Sequence, residues 1–207
     1  PAAERKRANE FLGIADDLPL FLFVGQHIWQ KNLRLIFEAA KELHKTHPRF
    51  LLVTVGTGPV KPDLEDWVQK EGAEDYIRLV GVVQDRELLS ALYLRANAFV
   101  FPSVYDNAPC VVREASAMCC PTIAVRGSNA AQGMTDGENA LLCENDLASL
   151  CARMAAVLDD LPLAAQVGRR AQQTLAPTWE EIVDRVYKEY LKLLERFSPE
   201  RAKELGL

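Results

Sequence analysis

Ala98-Phe-Val-Phe-Pro-Ser-Val-Tyr-Asp-Asn-Ala-Pro-Cys-Val-Val-Arg-Glu-Ala-Ser-Ala-Met118 changes its hydrophobic period part-way through. The first four residues are apolar without a break, as in a strand covered on both faces, and Pro102 stops them because it has no N–H for a ladder. Val111, Val112, Ala115 and Met118 then recur at helical spacing. Strand, short loop and amphipathic helix form a βα unit, and open α/β sheets bind ligands beyond the carboxyl ends of their strands. Asp106 falls in the loop and Glu114 one turn inside the helix. Carboxylates accept hydrogen bonds in two directions and suit vicinal hydroxyls, so the pair points to a sugar site. The same spacing also fits an Asp106 that opens the turn and a solvated Glu114.

Outward from this unit the rhythm repeats. Strand-like runs at 20–24, 50–55, 77–80, 98–101 and 121–125 alternate with helical stretches at 31–47, 61–71, 86–95, 110–119, 147–158 and 162–175. This is the alternation of a parallel sheet with helices on both faces, a Rossmann-like α/β fold. Asp85, Asp146 and Asp160 stand at capping positions. Thr178 and Glu181 form a capping-box pattern before a last helix, whose stripe from Trp179 to Phe197 needs a covering surface from this domain or another. The reading is one domain over residues 1–207, with 1–15 as a lead-in and 178–197 as a C-terminal helix.

Composition removes several classes of function. A net charge of -5 disfavours a nucleic-acid partner, which requires a basic stripe. The five cysteines form no CxxC pair, and read as small buried residues of a reducing, cytoplasmic protein. No apolar run approaches the ~20 residues of a membrane span, which leaves peripheral association open. The three histidines all lie near the N-terminus and no metal-ligand spacing occurs, so neither a metal site nor a Ser-His-Asp arrangement is expected.

Three further loops carry candidate chemistry. After the first strand, Gly25-Gln26-His27-Ile28-Trp29-Gln30-Lys31-Asn32 combines a glycine turn with a lysine at a helix start, a setting that favours phosphate but equally fits a plain turn. Gly56-Thr57-Gly58-Pro59 allows a close backbone approach. Residues 126–139 are long, polar and glycine-rich, the character of a functional loop, although Asp136-Gly137 also fits a hairpin turn before residues 140–143.

Taken together, these segments resemble the C-terminal, donor-binding half of a family 4 (group 1) glycosyltransferase of GT-B fold. The resemblance runs from Val24-Gly25 and Lys31-Asn32 through Val55-Gly56-Thr57-Gly58-Pro59, Arg78-Leu79-Val80-Gly81, Phe101-Pro102-Ser103 and Glu114-Ala115 to Thr135-Asp136-Gly137-Glu138-Asn139. Asp106-Asn107-Ala108-Pro109 and Ala130-Ala131-Gln132-Gly133 are similar to phrases of bacterial lipid glucosyltransferases. The resemblance implies a nucleotide-sugar substrate, preferably a UDP-sugar, no further cofactor, and a retaining transfer without metal. It implies that Asp106 meets the hexose, Glu114 the ribose diol and Lys31 the diphosphate. Gly25, Gln26 and the backbone of Asn107, Ala108 and Cys110 would line the donor, with Val82 beside the base. It implies a partner as well: an N-terminal acceptor domain or subunit, through which the enzyme could act at the inner membrane surface.

Two positions depart from the family pattern. Asp106 stands where glutamate is usual, one methylene shorter. Gln26 stands where arginine is usual, and exchanging a charge-assisted for a neutral hydrogen bond costs about 1 to 2 kcal/mol of donor binding. Two other readings therefore fit the same residues: a non-catalytic nucleotide-sugar-binding module, and an epimerase-like enzyme acting on a nucleotide sugar.

Overall fold

The computed structural model describes residues 2–198, 200 and 203. Its strands are β1 (Leu20–Val24), β2 (Leu51–Val55), β3 (Ile77–Gly81), β4 (Ala98–Phe101), β5 (Thr122–Val125) and β6 (Leu141–Cys143). They form one sheet in the order β3-β2-β1-β4-β5-β6, with every pair parallel. The helices are α1 (Ala2–Leu12), α2 (Leu33–His44), α3 (Lys61–Glu71), α4 (Arg86–Arg95), α5 (Cys110–Ala117), α6 (Leu147–Asp159), α7 (Leu161–Leu175) and α8 (Trp179–Phe197). The chain steps from β1 to β3 in one direction and from β4 to β6 in the other, so right-handed crossovers place α2 and α3 on one face and α5 on the opposite face. Both faces are thus covered. All five residues of β1 and all four of β4 are accordingly buried.

The order reverses where β1 lies beside β4, with Phe21 opposite Ala98 and Leu22 opposite Phe99. A crevice opens at such a reversal, beyond the carboxyl ends of the two strands. The loops after β1 and β4 therefore flank one crevice, although they are far apart in sequence. The expected caps are made: Asp85, Asp146 and Asp160 each accept a backbone N–H at a helix start.

Four features differ from the sequence reading. Residues 2–12 are a helix, although only Ala8 and Leu12 of α1 are buried. What holds α1 is polar: the buried Arg95 donates to Asn9 Oδ1 (2.6 Å), Ala15 O (3.2 Å) and Leu18 O (2.6 Å), and Arg7 pairs with Asp85 and Glu87. No periodicity announces such a helix. The segment before β6 is not a hairpin, because β6 runs parallel to β5, with Ile123 opposite Leu141. The Asp136-Gly137 turn exists, closed by Gly137 N–H to Ala140 O at 2.8 Å, but the chain re-enters the sheet in its original direction. Third, α2 begins at Leu33 after a short 3-10 turn over Trp29–Lys31, since Asn32 takes a left-handed φ of 58°. Fourth, of the five cysteines only Cys120 and Cys143 are buried, and Cys110 is exposed.

The chain divides into two compact units, one ending at Ala176 and the other beginning at Pro177. In the second, Thr178 and Glu181 make the full capping box. No described residue of α8 is buried, and Trp179 is 82% exposed.

Candidate functional site

The loops after β1 and β4 meet through three side chains. Lys31, at the end of the 3-10 turn, forms an ion pair with Asp106 Oδ1, and its ammonium lies 5.4 Å from the centre of the Phe101 ring. Ser103 Oγ donates to the other oxygen, Asp106 Oδ2, at 2.5 Å. Phe101 is itself fixed by stacking on Phe23 and Phe99 at 6.0 and 5.5 Å. Asn32 joins the loops a second time, donating to Pro102 O at 2.8 Å. This contact ties the turn that carries Lys31 to the end of β4. Lysine, aspartate and serine form one chain of contacts above the switch point.

Glu114 lies on α5, exposed apart from one contact: Tyr93 Oη, from α4, donates to Glu114 Oε2 at 3.2 Å. Burial, the nearby Glu114 charge and this hydrogen bond push the Tyr93 phenol far above its ordinary value, so it stays protonated and remains the donor. Glu114 and Tyr93 border a cavity of about 430 Å³ whose other walls include Val83, Gln84, Ser90 and Met118. Val83 and Gln84 line it, whereas Val82, which is 58% exposed, does not. A carboxylate at the rim of a partly apolar cavity can accept from a diol while the walls cover a flat ring.

The remaining predicted residues lie around these two acids. No side chain caps α5, and Pro109 at its N-cap has no N–H. Asn107, Ala108 and Cys110 are exposed at this helix start, and Asn107 Oδ1 accepts from Asn129 Nδ2 at 3.1 Å. Gln26 is exposed, and its side chain makes no hydrogen bond among the described residues. Gly25 belongs to a packed turn rather than an open one. A Cβ on Gly56 would stand 2.0 Å from Gly25 O, and one on Gly58 2.3 Å from His27 O. The close approach allowed by these two glycines is therefore to the neighbouring loop. His27 is fully buried with neither ring nitrogen hydrogen-bonded, and burial, with the charge of Lys61 adding, lowers its pKa. It packs as a neutral ring, away from acid–base work.

In residues 126–139, Asp136 and Asn139 spend their side-chain polar atoms within the protein. Asp136 accepts Leu142 N–H at 2.9 Å on one oxygen and Arg126 and Arg153 at 2.8 and 2.6 Å on the other. Asn139, 4% exposed, accepts from Thr135 N–H (2.7 Å) and donates to Gly133 O (3.2 Å) and Thr174 Oγ1 (2.9 Å). Among the described residues no group of three or more His, Cys, Asp or Glu side chains converges as a metal site. Ser103 and Tyr93, whose hydroxyls donate to the two acids, have no site role in the sequence reading. Ser103 follows the proline that ends a strand at the ligand edge, a signal that was available. Tyr93 comes from another helix and gave none.

A family model described as glycosyl transferases group 1 matches residues 4–174 of the chain. The chain belongs to this family. This group 1 glycosyltransferase chain is 30% identical over 173 residues to a glycogen synthase of Mycobacterium tuberculosis, covering 82% of the chain and 42% of that protein. It is 31% identical over 205 residues to a D-inositol 3-phosphate glycosyltransferase of Geodermatophilus obscurus, covering 94% and 45%. It thus spans less than half the length of these relatives. Its fold matches the C-terminal domain of a group 1 family protein (LpcC) from Francisella tularensis at a TM-score of 0.73 and 21% identity, covering 84% of this chain and 91% of that one. The sheet is the Rossmann-like half of a GT-B fold, and no described helix is long and apolar enough to cross a membrane.

Proposed function

We propose that this chain is the donor-binding half of a retaining, metal-independent glycosyltransferase that takes a hexose from a nucleotide sugar, preferentially a UDP-sugar, to a glycan or lipid acceptor. The observation that carries the reading is the grouping of one ammonium and two oriented carboxylates around the uncapped start of α5, at the switch point of a group 1 sheet. Glu114, at the rim of the 430 Å³ cavity, takes the ribose diol, with the base against Val83 and Gln84. Asp106 takes hexose hydroxyls. Lys31 and the first amides of α5 face the diphosphate, where a helix N-terminus favours negative charge.

In the transfer, the bond between the anomeric carbon and the diphosphate oxygen breaks while the acceptor hydroxyl attacks from the same face, and the hydroxyl proton passes to the departing diphosphate oxygen. Charge builds on the leaving diphosphate, and a cation and fixed amides placed there beforehand lower the barrier without reorganising. The protein's service is electrostatic and positional, with no protein nucleophile. A second, acceptor-binding domain or subunit supplies the other wall, in keeping with a chain that spans under half of its relatives. The chain alone then binds donor without steady turnover.

Calorimetric titration with UDP, GDP, ADP and their hexose conjugates tests the reading, repeated on Glu114→Gln. Saturable binding that prefers one base and weakens in the variant is expected; binding that ignores the variant would sink the assignment of Glu114. A second reading, a binding module without transferase activity, draws on Gln26 alone, whose neutral side chain stands where the family places a cation. Transfer on addition of the N-terminal partner would exclude it.

A further inference from the structure

The Asp106 carboxylate reaches the site on a shorter stem than the family's glutamate, yet it is the more firmly held of the two acids. Its anchor is Ser103, whose side chain is completely buried beneath the loop. The Ser103 hydroxyl accepts from Tyr105 N–H at 3.3 Å, which leaves its single proton to be given away. Two acceptors are near, Gln30 O at 3.5 Å and Asp106 Oδ2 at 2.5 Å, and the shorter contact to the charged oxygen takes the proton. Asp106 Oδ1 then faces Lys31, which rests on the Phe101 ring. Ser103 touches neither the open face of the loop nor any position a donor would occupy. It acts through Asp106.

We infer that Ser103 is a positioning residue of the donor site: its buried hydroxyl fixes the rotamer of Asp106, so that the carboxylate presents a free lone pair to the hexose, while Lys31, which also rests on the Phe101 ring, keeps its place beside the diphosphate without it. Each carboxylate oxygen has two lone pairs and each ammonium three protons, so neither contact exhausts its group. The inference rests on the reading of Asp106 as the hexose contact, and it assigns specificity for the sugar, rather than for the nucleotide, to a residue that touches neither.

Ser103→Ala removes the hydroxyl without changing any charge. The wild-type protein and the variant are titrated with whichever of UDP, GDP and ADP the wild type binds and with the hexose conjugates of that nucleotide, and the affinity of each conjugate is divided by that of the free diphosphate. We expect the ratio for the preferred conjugate to fall about 3- to 10-fold, the scale of one net hydrogen bond, with free diphosphate affinity kept within about 2-fold. A ratio unchanged, or both affinities falling together, overturns the inference. Ser103→Cys, which fills the volume with a weak donor, replaces the alanine variant should that one not fold. A crystal structure of the donor-free variant separates this inference from the donor reading itself. A turned Asp106 supports positioning even if no nucleotide binds, and an Asp106 superposing on the wild type refutes it even if nucleotides bind well.

Discussion

In the loop after β4, Asp106 receives one hydroxyl and one ammonium, and its neighbours at 107, 108 and 110 stay exposed. In the segment before β6, Asp136 receives a backbone amide and two guanidinium groups, while Asn139 is buried with both side-chain polar atoms engaged. Both stretches are rich in aspartate, asparagine and small residues, and both leave the carboxyl end of a strand. They differ in where their donors and acceptors end. The first leaves lone pairs of Asp106 unspent beside the uncapped start of α5, whereas Asp136 and Asn139 of the second are committed to the backbone, Arg126, α6 and α7. A polar, glycine-rich loop is a candidate for binding only to the extent that its hydrogen-bonding capacity is unspent.

The sharpest way to break this contrast is Asn139→Ala. It removes the three hydrogen bonds of a buried side chain that tie Thr135 N–H, Gly133 O and Thr174 Oγ1 together. We expect a loss of about 2 to 4 kcal/mol in denaturant unfolding, with donor affinity at low temperature unchanged. Weakened donor binding in a still-folded variant would make the second segment part of the site. Glu114→Gln is the mirror experiment. Its side chain is exposed and its single hydrogen-bond partner among the described residues, Tyr93, can equally donate to an amide oxygen, so the melting temperature should hold. Donor affinity should fall about 10- to 100-fold, because a charge-assisted contact becomes a neutral one and the diol loses an acceptor.

Asp136 adds a pH axis to the same contrast. Burial pushes its pKa up, but the Leu142 amide and the Arg126 and Arg153 charges outweigh that and hold it below the ordinary 3.8. A carboxyl depressed in the folded state contributes stability that is complete above the unfolded value and is lost as pH falls through the folded one. The stability gap between wild type and Asp136→Asn, about 1 kcal/mol near neutrality, should therefore stay level down to about pH 4 and close below it. A gap that closes well above pH 4, or that never opens, would mean that the arginines do not stabilise the charged form.

How much of this could be read from residues alone follows the same division. The five longer strands, most helix bounds and the capping residues were legible because each depends on local period or local chemistry. The group 1 resemblance placed Lys31, Asp106 and Glu114, and the fold brings the first two into contact. Helix α1 was not legible, because a buried Arg95, 86 residues from its partner Asn9, holds it in place of an apolar face. The direction of β6 was not legible either: Asp136-Gly137 makes the same turn whether the chain then doubles back or continues. Ser103 and Tyr93 escaped for a related reason, since a hydroxyl's partner is fixed only in three dimensions.

Tyr93→Phe is the mildest change and tests whether that omission matters. The phenyl ring keeps its edge-on packing against Phe99, 5.5 Å between centres, so the core loses no volume. Only the hydrogen bond to Glu114 Oε2 disappears, and Glu114, being exposed, recovers a water in its place. Stability should shift by less than about 1 kcal/mol. If the phenol orients the carboxylate toward the cavity, nucleotide affinity should drop about 2- to 5-fold, equally for the free diphosphate and its hexose conjugates. That equality distinguishes it from Ser103→Ala, whose effect is confined to the conjugate. Opposite patterns in the two variants would mean that two acids on one short stretch of chain are oriented separately, one hydroxyl for the sugar and one for the nucleoside. Identical patterns would mean that the loop and α5 move as one body, and that the division between the acids lies in the ligand rather than in the protein.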